Sequence, residues 1–368
     1  MRLSSYAGMA RPYVTLSVNV RDARAAAREG GAMKVLVLGG TQFVGHALVA
    51  EAVARGHDVT VANRGLSDAP YDGIRAVTLD RTQPGAFDAL ADERFDLVLD
   101  TWSGAPYVAR DAARALAGST GRWVYVSSRS VYAWPPPFNG DESAPLFEAD
   151  PDADLTEYPK DKRGAELALE RELGADRVAH LRAGLILGPR ENVGRLPWWL
   201  RRMVRGGRVI APGRPGLGIQ YVDARDLAVL ALSAGEQDRS GPVDVVCPQG
   251  LATLGELLDL CREVTASDAE LVWVDGGFLV EHGVEPWTEL PVWLPEDDEA
   301  YALHSCDVSR AVAWGLPTRP LRETVADAWT WVQRVDAGLE TPAPAPRAGT
   351  GLAPEKEAAV LAAWDARG

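Results

Sequence analysis

Cysteine and histidine are scarce in this sequence, and neither forms the spacing of a known site. Its 368 residues include three cysteines, without a C-x-x-C spacing, and five histidines, without an H-x-x-x-H or H-E-x-x-H spacing. An odd, sparse set of cysteines provides no disulfide framework, and scattered histidines indicate no metal site. Such a chain suits a reducing compartment. We therefore predict a cytoplasmic protein without a metal centre.

Long apolar runs and an excess of positive charge are also missing. No stretch approaches the roughly 18 uninterrupted apolar residues of a membrane helix, so no membrane partner is expected. The chain carries 52 acidic and 38 basic residues, for a formal net charge of −14. Because this charge repels polyanions, nucleic acid is an unlikely general partner. Lysine occurs only four times, so a lysine inside a motif is informative.

The apolar residues that are present follow an alternating order of short strands and longer helices. From residue 33 onwards, Val- and Leu-rich runs predict strands over 34–38, 58–62, 74–79, 95–99, 123–126 and 177–181. The helices predicted between them cover residues 44–55, 110–116 and 158–173. Continuous apolar strands that alternate with helices indicate a parallel sheet covered on both faces. The predicted fold is α/β, a doubly wound parallel Rossmann sheet with a smaller C-terminal α/β substrate domain.

Changes in composition divide the chain into four parts. The first part lacks the apolar segment of a secretory signal, and Glu29-Gly30-Gly31 before Met33 is what a ribosome-binding sequence would encode. We therefore expect a leader that is non-native or disordered. The predicted parts are this leader over 1–32 and a dinucleotide-binding domain over 33–190. A mainly substrate-binding domain follows over 191–335, and part of it returns to the first sheet. The last part, 336–368, is a Pro/Gly-rich linker with a short helix over 354–367.

A glycine-rich turn, Gly39-Gly40-Thr41-Gln42-Phe43-Val44-Gly45, follows the first strand. A tight turn needs glycine here, and the next helix presents N–H groups and its positive dipole end to a pyrophosphate. Gly45 allows the helix to pack closely on the strand. The alternative is a glycine turn that serves packing alone. The predicted cofactor contacts in this turn are Gly39, Thr41, Gln42, Phe43, Val44 and Gly45.

Asn63 and Arg64 end the second strand, where an NAD enzyme usually carries an acid that binds the ribose hydroxyls. A neutral side chain followed by a guanidinium suits a 2′-phosphate instead. We therefore predict NADP as the preferred cofactor, with NAD as the second choice. A solvated surface arginine is the alternative interpretation of Arg64.

A serine, a tyrosine and a lysine are spaced for proton transfer. Ser128 follows the fifth strand in Ser-Ser-Arg-Ser-Val-Tyr, and Tyr158-Pro-Lys-Asp-Lys162 follows later. On a helix, the i, i+4 spacing puts Tyr158 and Lys162 on one face. A phenol is a poor acid–base at neutral pH, and a nearby ammonium stabilises its phenolate form. Nine tyrosines and four lysines give about 0.1 such match by chance. We predict that Ser128 binds the substrate oxygen and that Tyr158 transfers the proton.

Together these motifs resemble the extended short-chain dehydrogenase/reductase family, also called the NAD-dependent epimerase/dehydratase family. Gly39 and Gly45 match the outer glycines of its T-G-x-x-G-x-x-G fingerprint, while Gln42 replaces the middle glycine. The form G-G-T-x-F-x-G looks like an atypical branch that includes chloroplast stem-loop-binding proteins. The resemblance covers residues 34–334 and is strongest over the first 190. It implies a catalytic triad of Ser128, Tyr158 and Lys162.

The same resemblance implies further contacts with the cofactor. It places an adenine-contacting acid at Asp80, beside Arg81, for which a helix N-cap is the alternative. The other implied contacts are Thr101, Trp102 and Ser103 after the fourth strand, and Ala183, Gly184 and Leu185 beside the nicotinamide.

The resemblance also implies a homodimer in which the helix over 158–173 packs against its copy. The residues that would provide this apolar surface are Ala165, Leu167, Ala168, Leu169 and Leu173. The alternative is that they cover the sheet of one subunit.

Three departures from the family pattern bear on the reaction and the substrate. Arg129 and Ser130 stand where sugar-nucleotide 4,6-dehydratases carry an Asp-Glu pair, so elimination of water is not expected. Ile219 stands where an arginine commonly binds a nucleotide-sugar diphosphate, which argues against a UDP- or dTDP-sugar unless Arg208 or Arg214 compensates.

The sequence therefore predicts an NAD(P)-dependent oxidoreductase that acts on a carbonyl or secondary alcohol of a small molecule. Two alternatives stay open. One is an NAD-dependent epimerase with a closed redox cycle. The other is a non-catalytic dinucleotide- or RNA-binding protein, because relatives in the atypical branch bind RNA.

Overall fold

A computed structural model describes residues 31–66, 73–154, 157–342 and 349–367. Nearly all of the leader predicted over 1–32 lies outside these ranges. The strands are β1 (Lys34–Leu38), β2 (Asp58–Asn63), β3 (Arg75–Thr78), β4 (Phe95–Asp100), β5 (Thr120–Ser128), β6 (Val178–Ala183), β7 (Ile186–Leu187), β8 (Arg208–Pro212), β9 (Gly218–Ile219), β10 (Val222–Asp223), β11 (Gly241–Val245), β12 (Ala252–Thr253) and β13 (Glu270–Val274).

Helices connect most of these strands. They are α1 (Phe43–Ala54), α2 (Pro106–Leu116), α3 (Tyr158–Leu173), α4 (Arg195–Val204), α5 (Ala224–Glu236), α6 (Leu254–Val264), α7 (Gly276–Glu281), α8 (Ser309–Ala313), α9 (Leu321–Asp336) and α10 (Pro354–Asp365). Between β3 and β4 the described chain forms turns and a short 3₁₀ segment, Asp88–Leu90, instead of an α-helix.

Seven strands form the central sheet in the order β11-β6-β5-β4-β1-β2-β3. Every neighbouring pair is parallel. The chain builds outwards from β1 to β3, crosses back to β4, and then builds outwards in the other direction to β11. The predicted doubly wound parallel sheet is therefore confirmed, and the six predicted strands match β1 to β6 within a few residues.

The central strands are nearly continuous apolar runs because helices cover both faces of the sheet. Val37 and Leu99 point into a core shared with α1 and α5. Leu36 and Val98, their neighbours along the strands, point into a core shared with α2 and α3. Successive strand residues face opposite sides, so each strand needs apolar residues at both positions.

The apolar side of α3 is buried within one chain. Four of the five residues predicted for an intersubunit surface have little or no exposed area: Ala165, Ala168, Leu169 and Leu173. They therefore do not form that surface, and the alternative, cover of the sheet of one subunit, is what the structure shows. The exposed side carries ion pairs instead, since both Arg110 and Arg171 bind Asp152 at 2.7 Å.

A second core lies in the C-terminal half, where α4, α6, α9 and α10 pack around the parallel pair of β8 and β13. Trp199 and Trp293 lie at its centre and are buried. The helix predicted at 354–367 is α10, and it is part of this core. Glu357 on α10 accepts hydrogen bonds from Arg202 Nε at 3.0 and 2.7 Å.

No helix within the described ranges is long and apolar enough to cross a membrane. Among the same residues there is no group of three or more His, Cys, Asp or Glu side chains that could hold a metal ion. Cys247, Cys261 and Cys306 are buried thiols that form no disulfide.

Candidate active site

The predicted site residues come together at the carboxyl edge of the central sheet. Parallel strands all end at this edge, and ligands of doubly wound sheets bind where the strand order reverses, which is between β1 and β4 here. Ser128 is the last residue of β5, and Asn63 is the last residue of β2. Tyr158 and Lys162 reach the same edge because α3 begins there.

The glycine turn after β1 is shaped by close backbone contacts. Gly39 has a φ of 116°, in the region that favours glycine, and a Cβ atom there would lie 2.6 Å from Thr101 Oγ1. A Cβ atom on Gly45 would lie 2.6 Å from the backbone nitrogen of Gly40. Alanine at Gly45 would therefore push α1 away from the turn.

The first turn of α1 is left without a side-chain cap. Gln42 is the N-cap residue, makes no capping hydrogen bond, and is followed by no acid in the first turn. Gln42 is exposed, Thr41 and Val44 are half-buried, and Phe43 is buried. The N–H groups and the positive dipole end thus remain available for an anion, which fits the pyrophosphate of a dinucleotide.

Asn63 ties the end of β2 to the glycine turn. Its Nδ2 donates to the Gly39 carbonyl at 3.4 Å, and its Oδ1 accepts from the Gly65 backbone N–H at 2.7 Å. The neighbouring Arg64 is exposed. The last residue of β2 is thus an amide and not a carboxylate.

Asp80 initiates a turn rather than a helix. Its Oδ1 accepts from the hydroxyl and backbone N–H of Thr82 at 2.7 and 3.0 Å. These bonds, with a smaller contribution from Arg64, lower the pKa of Asp80. The helix N-cap that was the alternative for Asp80 is therefore wrong.

Arg81 holds the end of β4. Its guanidinium donates to both carboxylate oxygens of Asp100, at 2.7 and 3.0 Å, and Asp100 is fully buried. The same guanidinium lies 4.9 Å from the centre of the Trp102 ring. Asp100 also accepts from the Trp102 backbone N–H at 2.9 Å. The charged end of Arg81 is thus engaged within the protein, an arrangement that the sequence analysis did not foresee.

The segment after β4 carries three predicted cofactor contacts. Thr101 donates from Oγ1 to the Leu38 carbonyl at 3.1 Å, which joins it to the end of β1. Trp102 is half-buried and its Nε1 donates to the Ala105 carbonyl at 2.9 Å. Ser103 is exposed. The Trp102 ring therefore packs, while its carbonyl faces the site.

Lys162 joins the ends of β4 and β5. Its ammonium donates to the carbonyls of Trp102 and Val126 at 2.5 and 2.7 Å, and it lies 4.7 Å from the centre of the Tyr125 ring. Burial lowers the pKa of Lys162 to about 7, although the nearby Asp100 carboxylate acts in the opposite direction. The lysine amino group thus lies at the floor of the site, bound to two backbone carbonyls.

Ser128 and Tyr158 differ in exposure. Ser128 is 7% exposed, and its Oγ accepts from the Ser130 backbone N–H at 3.1 Å, so its proton remains available for a substrate oxygen. Tyr158 is 40% exposed and begins α3, one turn before Lys162. The arrangement offers a buried hydroxyl donor at Ser128 and an exposed phenol one helical turn before the buried Lys162.

The segment after β6 borders Ser128 directly. Ala183 pairs with Ser128 in the sheet register. The Gly184 N–H donates to the Val245 carbonyl at 3.2 Å, and the Leu185 carbonyl accepts from the Val222 N–H at 2.8 Å. The Leu185 side chain is buried in the second core. This segment therefore connects the two halves of the molecule beside the site.

Glu166 is an important site residue that the sequence analysis missed. It is fully buried and accepts from Ser127 Oγ at 2.7 Å and from Arg182 Nη2 at 2.9 Å. Burial alone would raise its pKa, but His180 and Arg182 outweigh that effect and lower it to about 2. Its position four residues after Lys162 was the available sequence signal.

Comparisons with known proteins give matches to one family. The family model described as the NAD dependent epimerase/dehydratase family matches residues 35–247. The chain is similar to a 2′-dehydrokanamycin reductase of Streptomyces kanamyceticus, 38% identical over 140 residues that cover only 38% of each protein. It is also similar to a dTDP-6-deoxy-L-talose 4-dehydrogenase (NAD(P)(+)) of Kitasatospora kifunensis, 27% identical over 326 residues that cover 81% of this chain and 95% of that protein.

A similar solved structure is that of a UDP-N-acetylglucosamine 4-epimerase from Methanobrevibacter ruminantium M1. Its TM-score is 0.62 at 18% identity, over 83% of this chain and 99% of that chain. This likeness concerns the fold.

Proposed function

Because the chain belongs to the NAD-dependent epimerase/dehydratase family, we propose that it is an NADP-preferring oxidoreductase that acts on a carbonyl or secondary alcohol of a small molecule. The observation that carries the proposal is the placement of Ser128 and Lys162. The Lys162 ammonium binds the carbonyl of Val126, two residues before Ser128, at the edge where the glycine turn also lies.

The proposed reaction divides its steps among three side chains. Bound NAD(P)H or NAD(P)⁺ supplies or accepts the hydride. Ser128 donates a hydrogen bond to the substrate oxygen and fixes it beside Tyr158. In reduction, Tyr158 gives its phenolic proton to that oxygen, and in oxidation its phenolate takes the proton away. The Lys162 ammonium stabilises the phenolate through its charge.

The preference for NADP rests on the end of β2. Asn63 leaves this position without a carboxylate, and the exposed Arg64 can form charge-assisted hydrogen bonds with a 2′-phosphate. The relative from Kitasatospora kifunensis carries NAD(P)(+) in its name. This name supports the use of NADP as well as NAD by members of the family.

The proposed substrate carries no nucleotide diphosphate. Ile219 is buried at the position implied for a diphosphate-binding arginine. The two arginines that would have to compensate already have partners: Arg208 binds Asp365 at 2.6 and 2.8 Å, and Arg214 binds Glu296 at 2.8 and 2.5 Å. Similarity to a protein named as a reductase favours reduction of a ketone on a compound without that group.

The test of this function is a cofactor and substrate screen followed at 340 nm. Purified protein is mixed with NADPH or NADH and a panel of ketones and aldehydes, and with NADP⁺ or NAD⁺ and secondary alcohols. Net change of absorbance with one substrate class supports the oxidoreductase. A change of substrate configuration without net absorbance change would instead support the epimerase.

Two further measurements address the other alternative and the assembly. A salt-sensitive RNA complex at physiological ionic strength, with no dinucleotide bound, would favour the RNA-binding protein. The proposal also includes a homodimer, whose interface would have to use the polar outer side of α2 and α3, and a cytoplasmic location, which the three buried thiols support. A monomeric mass by light scattering at micromolar concentration would contradict the dimer.

A further inference from the structure

The residue before Ser128 is held by a buried ion pair. Ser127 Oγ donates to Glu166 at 2.7 Å, and Arg182 donates to the same carboxylate from Nε at 3.0 Å and from Nη2 at 2.9 Å. Glu166 is fully buried and Arg182 is 2% exposed. The remaining donor, Arg182 Nη1, lies 3.2 Å from the hydroxyl of Tyr132.

Arg129, the residue after Ser128, is connected to Arg182 through Asp244 and Tyr132. The Tyr132 hydroxyl donates to Asp244 at 2.8 Å, and the Nε of Arg129 lies 3.7 Å from the second oxygen of that carboxylate. The contacts therefore close a buried loop, here called the Ser128 ring, which is composed of Ser127, Glu166, Arg182, Tyr132, Asp244 and Arg129.

Arg129 also contacts residues outside the Ser128 ring. It is 4% exposed, and its Nη1 donates to the Leu303 carbonyl at 2.9 Å. Its Nε has no hydrogen-bond partner among the described residues and faces Asp244. Its Cδ would lie 3.5 Å from a Cβ atom built on Gly184. Arg129 thus follows Ser128 directly in the chain, packs near Gly184 and binds the Leu303 carbonyl.

We propose that Arg129 is a positioning residue that fixes Ser128 relative to Gly184 through its ionic contact with Asp244. The inference rests on the proposed function, because Ser128 and Gly184 are the substrate- and cofactor-facing groups that it would align. A buried guanidinium is stable only when paired. With both acids ionised, Glu166 and Asp244 balance Arg182 and Arg129, so the Ser128 ring carries no net charge.

The surroundings of Asp244 make the ionic contact sensitive to pH. Burial raises the pKa of Asp244 to about 6, although Arg129 and the hydrogen bonds from Tyr132 and Cys306 oppose that effect, and Glu142 adds to it. The charged and titratable groups that face this region are Arg129, Tyr132, Cys306 and Glu142 around Asp244, Arg310 beside Glu142 at 3.6 Å, and His304 near Arg129. Below about pH 6, Asp244 becomes neutral, and Arg129 loses its ionic partner while it keeps the Leu303 carbonyl.

The experiment measures the affinity for NADPH and NADH by fluorescence from pH 5 to pH 8. We expect wild-type protein to bind either cofactor about tenfold more tightly above the transition than below it, a usual size for coupled sites. NADH is essential, because the 2′-phosphate of NADPH itself titrates near pH 6. Asp244→Asn should abolish the step. Arg129→Met should bind about tenfold more weakly above the transition, and Arg129→Lys should recover part of that loss.

Asp226→Asn is the matched control. Asp226 is also a buried carboxylate that pairs with an arginine, Arg319, at 2.7 Å, but it makes no contact with the Ser128 ring. Its replacement should leave the pH step unchanged. Tyr132→Phe removes one hydrogen bond that favours ionised Asp244 and keeps the ring packed, so it should move the midpoint of the step to higher pH even if the Arg129 variants fail to fold.

The outcomes separate the inference from the proposed function. If wild-type protein binds a dinucleotide but Asp244→Asn keeps the same step and Tyr132→Phe leaves its midpoint in place, the inference is wrong and the function stands. If wild-type protein binds neither dinucleotide, the proposed function is contradicted and the inference falls with it.

Discussion

Lys162 and Glu166 lie one helical turn apart on α3, and each holds one of the two residues that precede Ser128. Lys162 donates to the Val126 carbonyl at 2.7 Å, and Glu166 accepts from Ser127 Oγ at 2.7 Å. A single helix thus presents a buried lysine and a buried glutamate to successive residues of β5. Side chains at i and i+4 share a helix face. Lys162 and Glu166 can therefore hold Val126 and Ser127, two consecutive residues at the end of β5.

Replacement of Lys162 should change how stability depends on pH. Burial lowers the pKa of Lys162 to about 7, so between pH 7 and pH 9 the unfolded chain binds more protons here than the folded chain. Wild-type stability should therefore rise by about 2 kcal/mol over this interval from this group alone. Urea unfolding of Lys162→Met should lack that rise.

Lys160→Met is the matched control for this measurement, since Lys160 lies on the same helix and is partly exposed, 3.6 Å from Glu157. It should keep the wild-type difference between pH 7 and pH 9. Equal pH dependence in all three proteins would show that burial does not lower the pKa of Lys162.

Replacement of Arg64 should separate the two cofactors. Arg64→Ala removes the guanidinium next to Asn63 that the proposed 2′-phosphate contact requires. The dissociation constant for NADPH should rise about tenfold or more, the worth of one charge-assisted bond, while that for NADH stays nearly constant. Arg75→Ala, which removes another exposed arginine that pairs with Glu93, should affect neither. An equal loss for both cofactors would show that Arg64 does not contact the phosphate.

The C-terminal helix should be required for the stability of the second core. Glu357 on α10 is 4% exposed and binds Arg202, and it also accepts from the Ile210 backbone N–H at 3.2 Å. Glu357→Ala leaves the buried Arg202 guanidinium with the carbonyls of Gly206 and Arg208 but without its carboxylate, so the free energy of unfolding should fall by about 3 kcal/mol.

Asp365→Asn is the control on the same helix, because Asp365 forms an exposed pair with Arg208. Exposed pairs contribute little, so this change should hardly move the urea midpoint. If both variants unfold at the wild-type midpoint, α10 does not stabilise the core as described.

Local sequence patterns were sufficient to predict six of the seven strands of the central sheet and the helix that carries Tyr158 and Lys162. The strands β1 to β6 are apolar runs whose identity depends on neighbouring residues only, and Tyr158 and Lys162 are joined by one helical turn. The predicted start of α2, residue 110, is too late, because proline usually disrupts a helix. Pro106 nevertheless begins α2, since proline is well suited to the first turn of a helix.

The partners of the buried charges could not be predicted in the same way. Asp244 lies on β11, the strand that returns to the sheet after a long excursion through the second core, and no periodicity indicates that it meets Arg129. Asp100 is similar, since its pairing with Arg81 depends on how the ends of two separate strands approach each other. Such pairs join residues that are distant in the sequence, so only the tertiary structure shows them, whereas a motif is visible in the spacing of nearby residues.

The chemistry itself is tested most directly at Tyr158. Tyr158→Phe keeps the aromatic ring at the start of α3 and removes the one proton that the proposed reaction transfers. Affinity for NADPH should survive, because the glycine turn and Arg64 are unchanged. Turnover of a substrate found in the screen should fall by a factor on the order of 10² to 10⁴, the usual contribution of a positioned general acid–base.

Two further variants show whether Tyr158 acts together with its proposed neighbours. Ser128→Ala should mainly lower turnover, because the substrate oxygen loses its donor while the cofactor site is intact. Lys162→Ala should weaken cofactor binding as well, since it releases the carbonyls of Trp102 and Val126 that shape the floor of the site. Tyr107→Phe, on α2, is the matched control for loss of a tyrosine hydroxyl and should turn over at the wild-type rate. If Tyr158→Phe does so too, Tyr158 transfers no proton, and the site binds a dinucleotide without the proposed chemistry.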